Sequence, residues 1–96
     1  MDNQTAADIM SQLGNGTRLE ITRLLVRAGK NGLRVGELQQ KLDIPASTLS
    51  HHINALKSVK LISQERQSNL LVCRVNYPVI DSIVAFLTAE CCAGVD

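Results

Sequence analysis

Apolar residues recur at helical spacing along the first half of the chain. The first such stretch, residues 6–13, stops at a Gly-Asn-Gly sequence that is suited to a helix end. A second helix is predicted over residues 17–29, with Thr17 as its N-cap and a glycine at its end. The arginines of this helix are expected to lie outside its apolar stripe: Arg18, Arg23 and Arg27. After a minimal strand at residues 33–35, a third helix is predicted over residues 36–42.

A proline separates the third helix from a fourth. Pro45 lacks the amide hydrogen that would continue a helix, yet its fixed φ suits the approach to a new one, which is predicted to begin at Ala46 or Ser47. Its apolar residues form one stripe: Leu49, Ile53 and Leu56. The opposite arc carries short hydrogen-bonding side chains, as a helix that enters the major groove of DNA requires. The candidate DNA contacts are Ser47, Thr48, Ser50, His51, Asn54 and Lys57.

The same arc also fits an ordinary solvated helix face, but a helix and turn before it and a basic hairpin after it favour DNA binding. The net charge of the chain is only +1, but residues 47–76 contain four basic residues and a single acidic one, Glu65. Positive charge that is gathered locally favours DNA, because it supplies the non-specific part of the affinity. His52 lies beside the apolar stripe, so we expect a packed, hydrogen-bonded histidine and not a DNA contact.

Two apolar-rich runs with strand character follow, at residues 61–66 and 70–75, and the three residues between them suit a hairpin loop. The tip of this wing could reach the minor groove or its phosphates through Arg66, Gln67, Ser68 and Asn69. A last helix begins just after Tyr77-Pro78, and its apolar residues cover more surface than one intramolecular face requires, so it needs a partner. The predicted fold is mainly α with a small β-hairpin, a winged helix-turn-helix in one domain over residues 1–96.

These residues together resemble the ArsR/SmtB family of metalloregulatory repressors. The resemblance is most specific over residues 47–53. It also includes Leu13-Gly14, Arg18-Leu19 and Lys60-Leu61-Ile62. The resemblance implies a homodimer held by the first and last helices, an apo-protein bound to a palindromic operator, and release from DNA when an inducer binds. Such a dimer must place its two recognition helices about 34 Å apart, one turn of DNA, or a small multiple of that distance.

The cysteines carry the candidate inducer site. Cys91 and Cys92 are predicted to end the last helix as adjacent thiols, which suit soft thiophilic ions. They resemble the pair in the arsenic- and antimony-responsive branch of the family, which implies As(III) or Sb(III) as the inducer. That branch uses a third, downstream cysteine, whereas here Cys73 is the remaining candidate, either as a third thiolate or as a small apolar core residue. The family's other metal sites lack their cysteine or histidine ligands in this chain.

The sequence also bears on other classes of function. The sequence has no Gly-rich phosphate loop, nucleophile elbow or convergent nucleophile–base set, so we expect no enzyme. A repressor of the same fold that responds to thiol oxidation at Cys91 or Cys92 is one alternative, and a winged-helix module that binds proteins is another. No apolar run is long enough for a membrane span and the polar opening residues are unlike a signal peptide, so a cytoplasmic protein is expected.

Overall fold

The computed structural model describes all residues from Met1 to Asp96. Five α-helices and three short strands follow one another along the chain. They are α1 (Asn3–Leu13), α2 (Gly16–Ala28), β1 (Leu33–Arg34), α3 (Val35–Leu42), α4 (Ala46–Ser58), β2 (Ile62–Gln67), β3 (Leu70–Val75) and α5 (Tyr77–Thr88). A 3₁₀ turn, Gly29–Asn31, joins α2 to β1. The order of elements is that of a winged helix-turn-helix, as the sequence predicts.

Polar side chains decide where the first two helices begin. The carboxylate of Asp2 accepts a hydrogen bond from the Thr5 amide at 2.7 Å, which starts α1 and lowers the pKa of Asp2. The predicted N-cap of α2 is wrong, because the Asn15 side chain accepts from the Arg18 amide at 3.1 Å and the helix therefore begins before Thr17. Asn and Thr are both good caps, and the periodicity of the apolar residues does not distinguish between them.

The three strands form one antiparallel sheet in the order β1-β3-β2. The predicted hairpin is therefore extended by β1, whose Leu33 lies opposite Cys73. The predicted three-residue loop is one residue too long, because Gln67 pairs with Leu70 and leaves only residues 68 and 69 unpaired. Ser68 reverses the chain with a φ of 59°, in the left-handed region.

The core lies where α2 packs on β3, α4 packs on β2, and α1 contacts both helices. Its fully buried side chains are Ile21, Leu25, Leu38, Leu49, Ile53, Leu56, Leu61 and Cys73. The predicted inner stripe of α4 is therefore confirmed. Only 15 of the 96 residues are buried, so this core is thin and most of the chain lies at the surface of the protomer.

The last helix is attached along one side only. Its first residue, Tyr77, donates a hydrogen bond from its hydroxyl to the Val26 carbonyl at 2.9 Å, and Ile83 is its one buried side chain. Val84 and Leu87 remain 58% and 61% exposed. The surplus apolar face that the sequence predicts on this helix is confirmed.

The helix also ends earlier than the sequence predicts. Residues 87–96 are all exposed, so no packing holds a further helical turn, and Ala89 leaves the helical region with a ψ of 137°. Cys91 and Cys92 consequently lie in a turn beyond α5, and the prediction that they end the helix is wrong. No helix of the chain has the length and apolar composition that a membrane crossing needs.

One glycine gives a test of the link between the sheet and the end of α2. Gly32 has a φ of 66° and a ψ of −163°, and a Cβ at this position would collide with the carbonyl oxygen of Cys73. We predict that Gly32→Ala lowers the free energy of unfolding by about 2 kcal/mol, because a non-glycine residue in this region costs roughly 1–3 kcal/mol before the clash is added. Urea denaturation followed by circular dichroism measures the change.

The matched control is Gly36→Ala in α3, where a Cβ meets no atom within 4 Å and φ is ordinary. This change should leave stability unaltered or raise it by up to about 1 kcal/mol, because alanine restricts the unfolded chain. Equal stability of the two variants would contradict the role assigned to Gly32.

Candidate nucleic-acid interface

A three-residue turn sets the angle between α3 and α4. Asp43 adopts a left-handed conformation with a φ of 51°, and its amide donates to the Gln39 carbonyl at 2.8 Å, which closes α3. Pro45 has a φ of −60°, and its carbonyl accepts the first hydrogen bond of α4, from the Leu49 amide at 3.0 Å. Leu38 on one helix and Leu49 on the other are fully buried in the same hydrophobic core, which anchors both helices of the helix-turn-helix unit.

The outer face of α4 presents polar groups to solvent. The six residues predicted on it are all exposed: Ser47, Thr48, Ser50, His51, Asn54 and Lys57. Its N-cap is Pro45, and no side chain caps the first turn, so the amides there are available to an anion such as a phosphate. Lys57 extends towards the wing and donates to the Gln64 side chain at 3.1 Å, which ties α4 to β2.

The wing tip is polar and its acidic residue is neutralised. Glu65 accepts hydrogen bonds from the Gln67 amide group at 2.8 Å and from the Arg74 guanidinium at 3.0 Å, and both lower the pKa of its carboxyl. The predicted tip residues Arg66, Gln67, Ser68 and Asn69 are all exposed. Of these, Gln67 is engaged inside the wing by Glu65, which leaves a tip whose charge is that of Arg66.

One side chain that links α2 to α4 was missed by the sequence analysis. Arg18 was predicted to lie outside the apolar stripe of α2, and this is wrong, because its half-buried guanidinium points towards α4. Nε donates to His52 Nδ1 at 3.0 Å, Nη1 donates to Gln12 Oε1 at 2.6 Å, and Nη2 lies 3.5 Å from His51 Nε2. Helical periodicity gives no signal for a contact between residues 34 positions apart.

His52 is half-buried and hydrogen-bonded, as predicted. Burial lowers the pKa of His52 below its ordinary value of 6.5, and the nearby charges of Arg18 and His51 lower it further. The neutral ring is therefore the form that the fold favours. Its contribution to stability is present above pH 6.5 and is lost as the pH falls through the lowered pKa.

The cysteines fall into two separate environments. Cys91 Sγ and Cys92 Sγ are exposed free thiols 3.1 Å apart, and the hydrogen bond with Cys92 raises the pKa of the Cys91 thiol. Cys73 is a buried core residue, and burial raises its pKa against the opposing effect of a hydrogen bond from Gln64. Within one protomer, no three His, Cys, Asp or Glu side chains lie together as a metal site. The structure therefore brings two of the three predicted thiols together.

Residues 13–65 match the protein family described as a helix-turn-helix domain. The match runs from the end of α1 through the helix-turn-helix unit into β2. An uncharacterized HTH-type transcriptional regulator of Methanocaldococcus jannaschii is 33% identical to this chain over 64 residues, which make up 67% of this chain and 70% of the relative.

Two solved structures share the fold. The crystal structure of an ArsR family transcriptional regulator aligns with a TM-score of 0.79 at 20% identity, and the alignment covers 94% of this chain and 90% of that one. A homodimeric winged helix-turn-helix DNA-binding domain from Mycobacterium bovis, described as a possible ArsR-family transcriptional regulator, aligns with a TM-score of 0.73 at 24% identity, covering 91% and 81% of the two chains. The winged helix-turn-helix fold is thus established by similarity as well as by the order of elements.

Proposed function

We propose that this chain, which belongs to the helix-turn-helix domain family, is a transcriptional repressor that binds a palindromic operator as a homodimer and is released by As(III) or Sb(III). The observation that carries the DNA-binding part is the division of α4 into two faces. Leu49, Ile53 and Leu56 are buried, while hydroxyl, imidazole and amide groups face solvent on the other side. This is the arrangement that base readout in the major groove requires.

Phosphate contacts would come from groups around that face. The uncapped first turn of α4 offers backbone amides, and Lys57 and Arg66 offer positive charge on the helix and at the wing tip. Because Glu65 is paired with Arg74 at 3.0 Å, it does not leave an uncompensated negative charge beside the duplex. These contacts would position the protein, and the α4 side chains would read the sequence.

The dimer is supported by the shape and surface of the protomer. The radius of gyration is 14.8 Å, whereas about 12.5 Å is expected for a compact chain of this length. An apolar groove of about 320 Å³ lies between α2 and α5, lined by Leu19, Val26, Ile80 and Val84 among others. A second copy that covers this face would bury Val84 and Leu87 and supply the core that one protomer lacks.

A duplex-binding series tests the DNA-reading face. The probe is a palindromic duplex selected by binding from a random-sequence pool, compared with a random duplex. We predict that Asn54→Ala weakens binding to the selected duplex by roughly tenfold and to random duplex little, because a lost base contact costs about 1–3 kcal/mol. Arg66→Gln should weaken both duplexes equally and reduce the slope of log affinity against log salt by about 1.

Arg27→Gln, which removes an equal charge at an exposed site in the last turn of α2, is the control for the loss of charge alone. Salt-independent binding of the wild-type chain to every duplex would point instead to a protein-binding module.

A charge placed on α5 tests the dimer. We predict that Val84→Glu converts the protein to a monomer at micromolar concentration and lowers its affinity for the palindromic duplex, because a buried unpaired carboxylate opposes association. Sedimentation velocity measures the first effect. Ser82→Glu, two residues earlier and almost opposite on the helix, is the matched control and should remain dimeric. A monomeric wild-type protein would contradict the proposal.

The pair Cys91 and Cys92 supports the proposal that As(III) or Sb(III) is the inducer. Two exposed sulfurs 3.1 Å apart could both bond to one thiophilic atom, and because the pKa of Cys91 is raised, binding would release the proton of that thiol. A third sulfur would have to come from Cys73, from the partner subunit or from an external thiol. Release from DNA requires that the inducer bind the DNA-free form more tightly than the DNA-bound form.

We predict that arsenite lowers the affinity of the wild-type protein for the palindromic duplex and leaves Cys91→Ser unaffected. Fluorescence anisotropy of the labelled duplex measures both. Arsenic-edge X-ray absorption of the loaded protein counts the sulfur ligands, and Cys73→Ala shows whether the third sulfur, if present, is the buried one. A full response by Cys91→Ser would exclude the pair as the inducer site.

The redox alternative shares this site and has a different signature. Both thiols of the pair are exposed, and exposed free thiols are open to oxidation. If peroxide, but not arsenite, abolishes DNA binding and dithiothreitol restores it, the protein is a thiol redox repressor of the same fold.

A further inference from the structure

We propose that Arg18 is a positioning residue, which holds the DNA-reading face of α4 by donating hydrogen bonds to both of its histidines while anchored to α1. The proposal rests on DNA binding by α4 as the proposed function. Arg18 would act without touching DNA, through the orientation of His51, one of the candidate contacts.

The backbone of Arg18 is fixed before its side chain makes any contact. Its amide donates to the Asn15 side chain at 3.1 Å, and its carbonyl accepts from the Thr22 hydroxyl at 3.0 Å. Thr22 is the one buried polar residue of the chain, with 4% exposure. The side chain of Arg18 therefore extends from a rigid first turn of α2. This favours one packed conformation of the side chain over many solvated ones.

The guanidinium joins three elements. Its contact with Gln12 is the shortest, at 2.6 Å from Nη1 to Oε1, and it fixes the side chain to α1. The bond from Nε to His52 Nδ1, at 3.0 Å, fixes it to the inner edge of α4. Nη2 lies 3.5 Å from His51 Nε2 on the outer face of the same helix. One planar group thus connects a helix expected at the dimer interface with the helix expected in the DNA groove.

The chemistry of arginine decides the state of His52. A guanidinium has only donors, so His52 Nδ1 must accept, and the ring proton must lie on Nε2. Protonation of the ring would replace this acceptor with a donor and place a second positive charge against Arg18. The titratable and charged groups that act on His52 are Arg18 from α2 and His51 from α4, and the contact from α1 is the neutral Gln12. A fall in pH therefore weakens the hydrogen bond between Arg18 and His52, because neither of those groups is a carboxylate that would stabilise the protonated ring.

The variant Arg18→Gln removes the guanidinium that contacts Gln12 and the two histidines, and three measurements test its effect. Affinity for the selected palindromic duplex should fall about tenfold, the size expected when a charged hydrogen-bond network is lost, with no change in the salt slope. In the free protein, nitrogen-15 NMR should show His52 changing from a single Nε2–H tautomer to a mixture of tautomers. The loss of unfolding free energy between pH 7 and pH 5 should become shallower than in the wild type, because part of the lowered pKa of His52 comes from Arg18.

Two variants of His52 test the same contact from the other side. His52→Asn keeps an acceptor near the position of Nδ1 and should retain most of the wild-type affinity, whereas His52→Leu has a similar size and no acceptor and should resemble Arg18→Gln. Arg27→Gln is the control for charge loss on α2 and should leave the His52 spectrum unchanged.

The outcomes separate the alternatives. A salt slope reduced by about 1 in Arg18→Gln would make Arg18 a phosphate contact and overturn the positioning role. An unaltered His52 spectrum, or equal affinities for His52→Asn and His52→Leu, would also overturn it. If the wild-type protein binds no duplex in a salt-dependent way, the proposed function fails first and the positioning role fails with it. A change of the His52 tautomer in Arg18→Gln would then show only that Arg18 stabilises the fold.

Discussion

The burial of the inner face of α4 is the constraint on which the rest of the structure depends. Leu49, Ile53 and Leu56 are each 2% exposed or less, and each fully buried side chain of this size contributes about 1.5–3 kcal/mol. Since a whole domain is stable by only about 5–15 kcal/mol, rotation of α4 by one residue would remove a large fraction of the folding free energy. The helix therefore has one orientation, and its polar arc faces solvent because no other arrangement is stable.

The small size of the core also explains why one protomer leaves an apolar face uncovered. A chain with 15 buried residues has little apolar surface left for α5, which contributes one buried side chain and leaves Val84 and Leu87 exposed. Association would satisfy this face and also set the distance between two copies of α4, which no contact within a protomer can determine. Stability and operator spacing would then depend on the same helix, so that a change at α5 alters both.

Periodic features of the chain could be predicted from its sequence, and isolated long-range contacts could not. The apolar stripe of α4, the strand Leu70–Val75 and the helix after Tyr77 could be predicted from local spacing. Side chains that share a face recur at a fixed interval along a helix or a strand, so neighbouring residues are enough to reveal the pattern. The six candidate DNA contacts on α4 were predicted in the same way, since an exposed arc is the complement of a buried one, and the four at the wing tip followed from the gap between two strand-like runs. The contact between Arg18 and His52 has no such trace, because 34 residues separate its partners and either one alone fits a surface position. The N-cap at Asn15 was missed for a different reason, because two capping residues stood two positions apart and local rules rank them almost equally.

The end of α5 was also predicted wrongly, and its actual position bears on the proposed inducer site. Neighbouring residues in an α-helix point about 100° apart, so a helical Cys91-Cys92 pair would direct its thiols away from each other. In the observed turn, Cys92 has a φ of 66° and the two sulfurs approach to 3.1 Å. The early end of the helix at Thr88 is therefore what lets the two sulfurs of adjacent cysteines come this close together. Because a left-handed cysteine is strained, an ion held by both sulfurs would stabilise a turn that the chain alone favours weakly. It would also oppose any extension of α5 through residues 89–92. An inducer bound there would act on the length and packing of α5, the helix on which the proposed dimer depends.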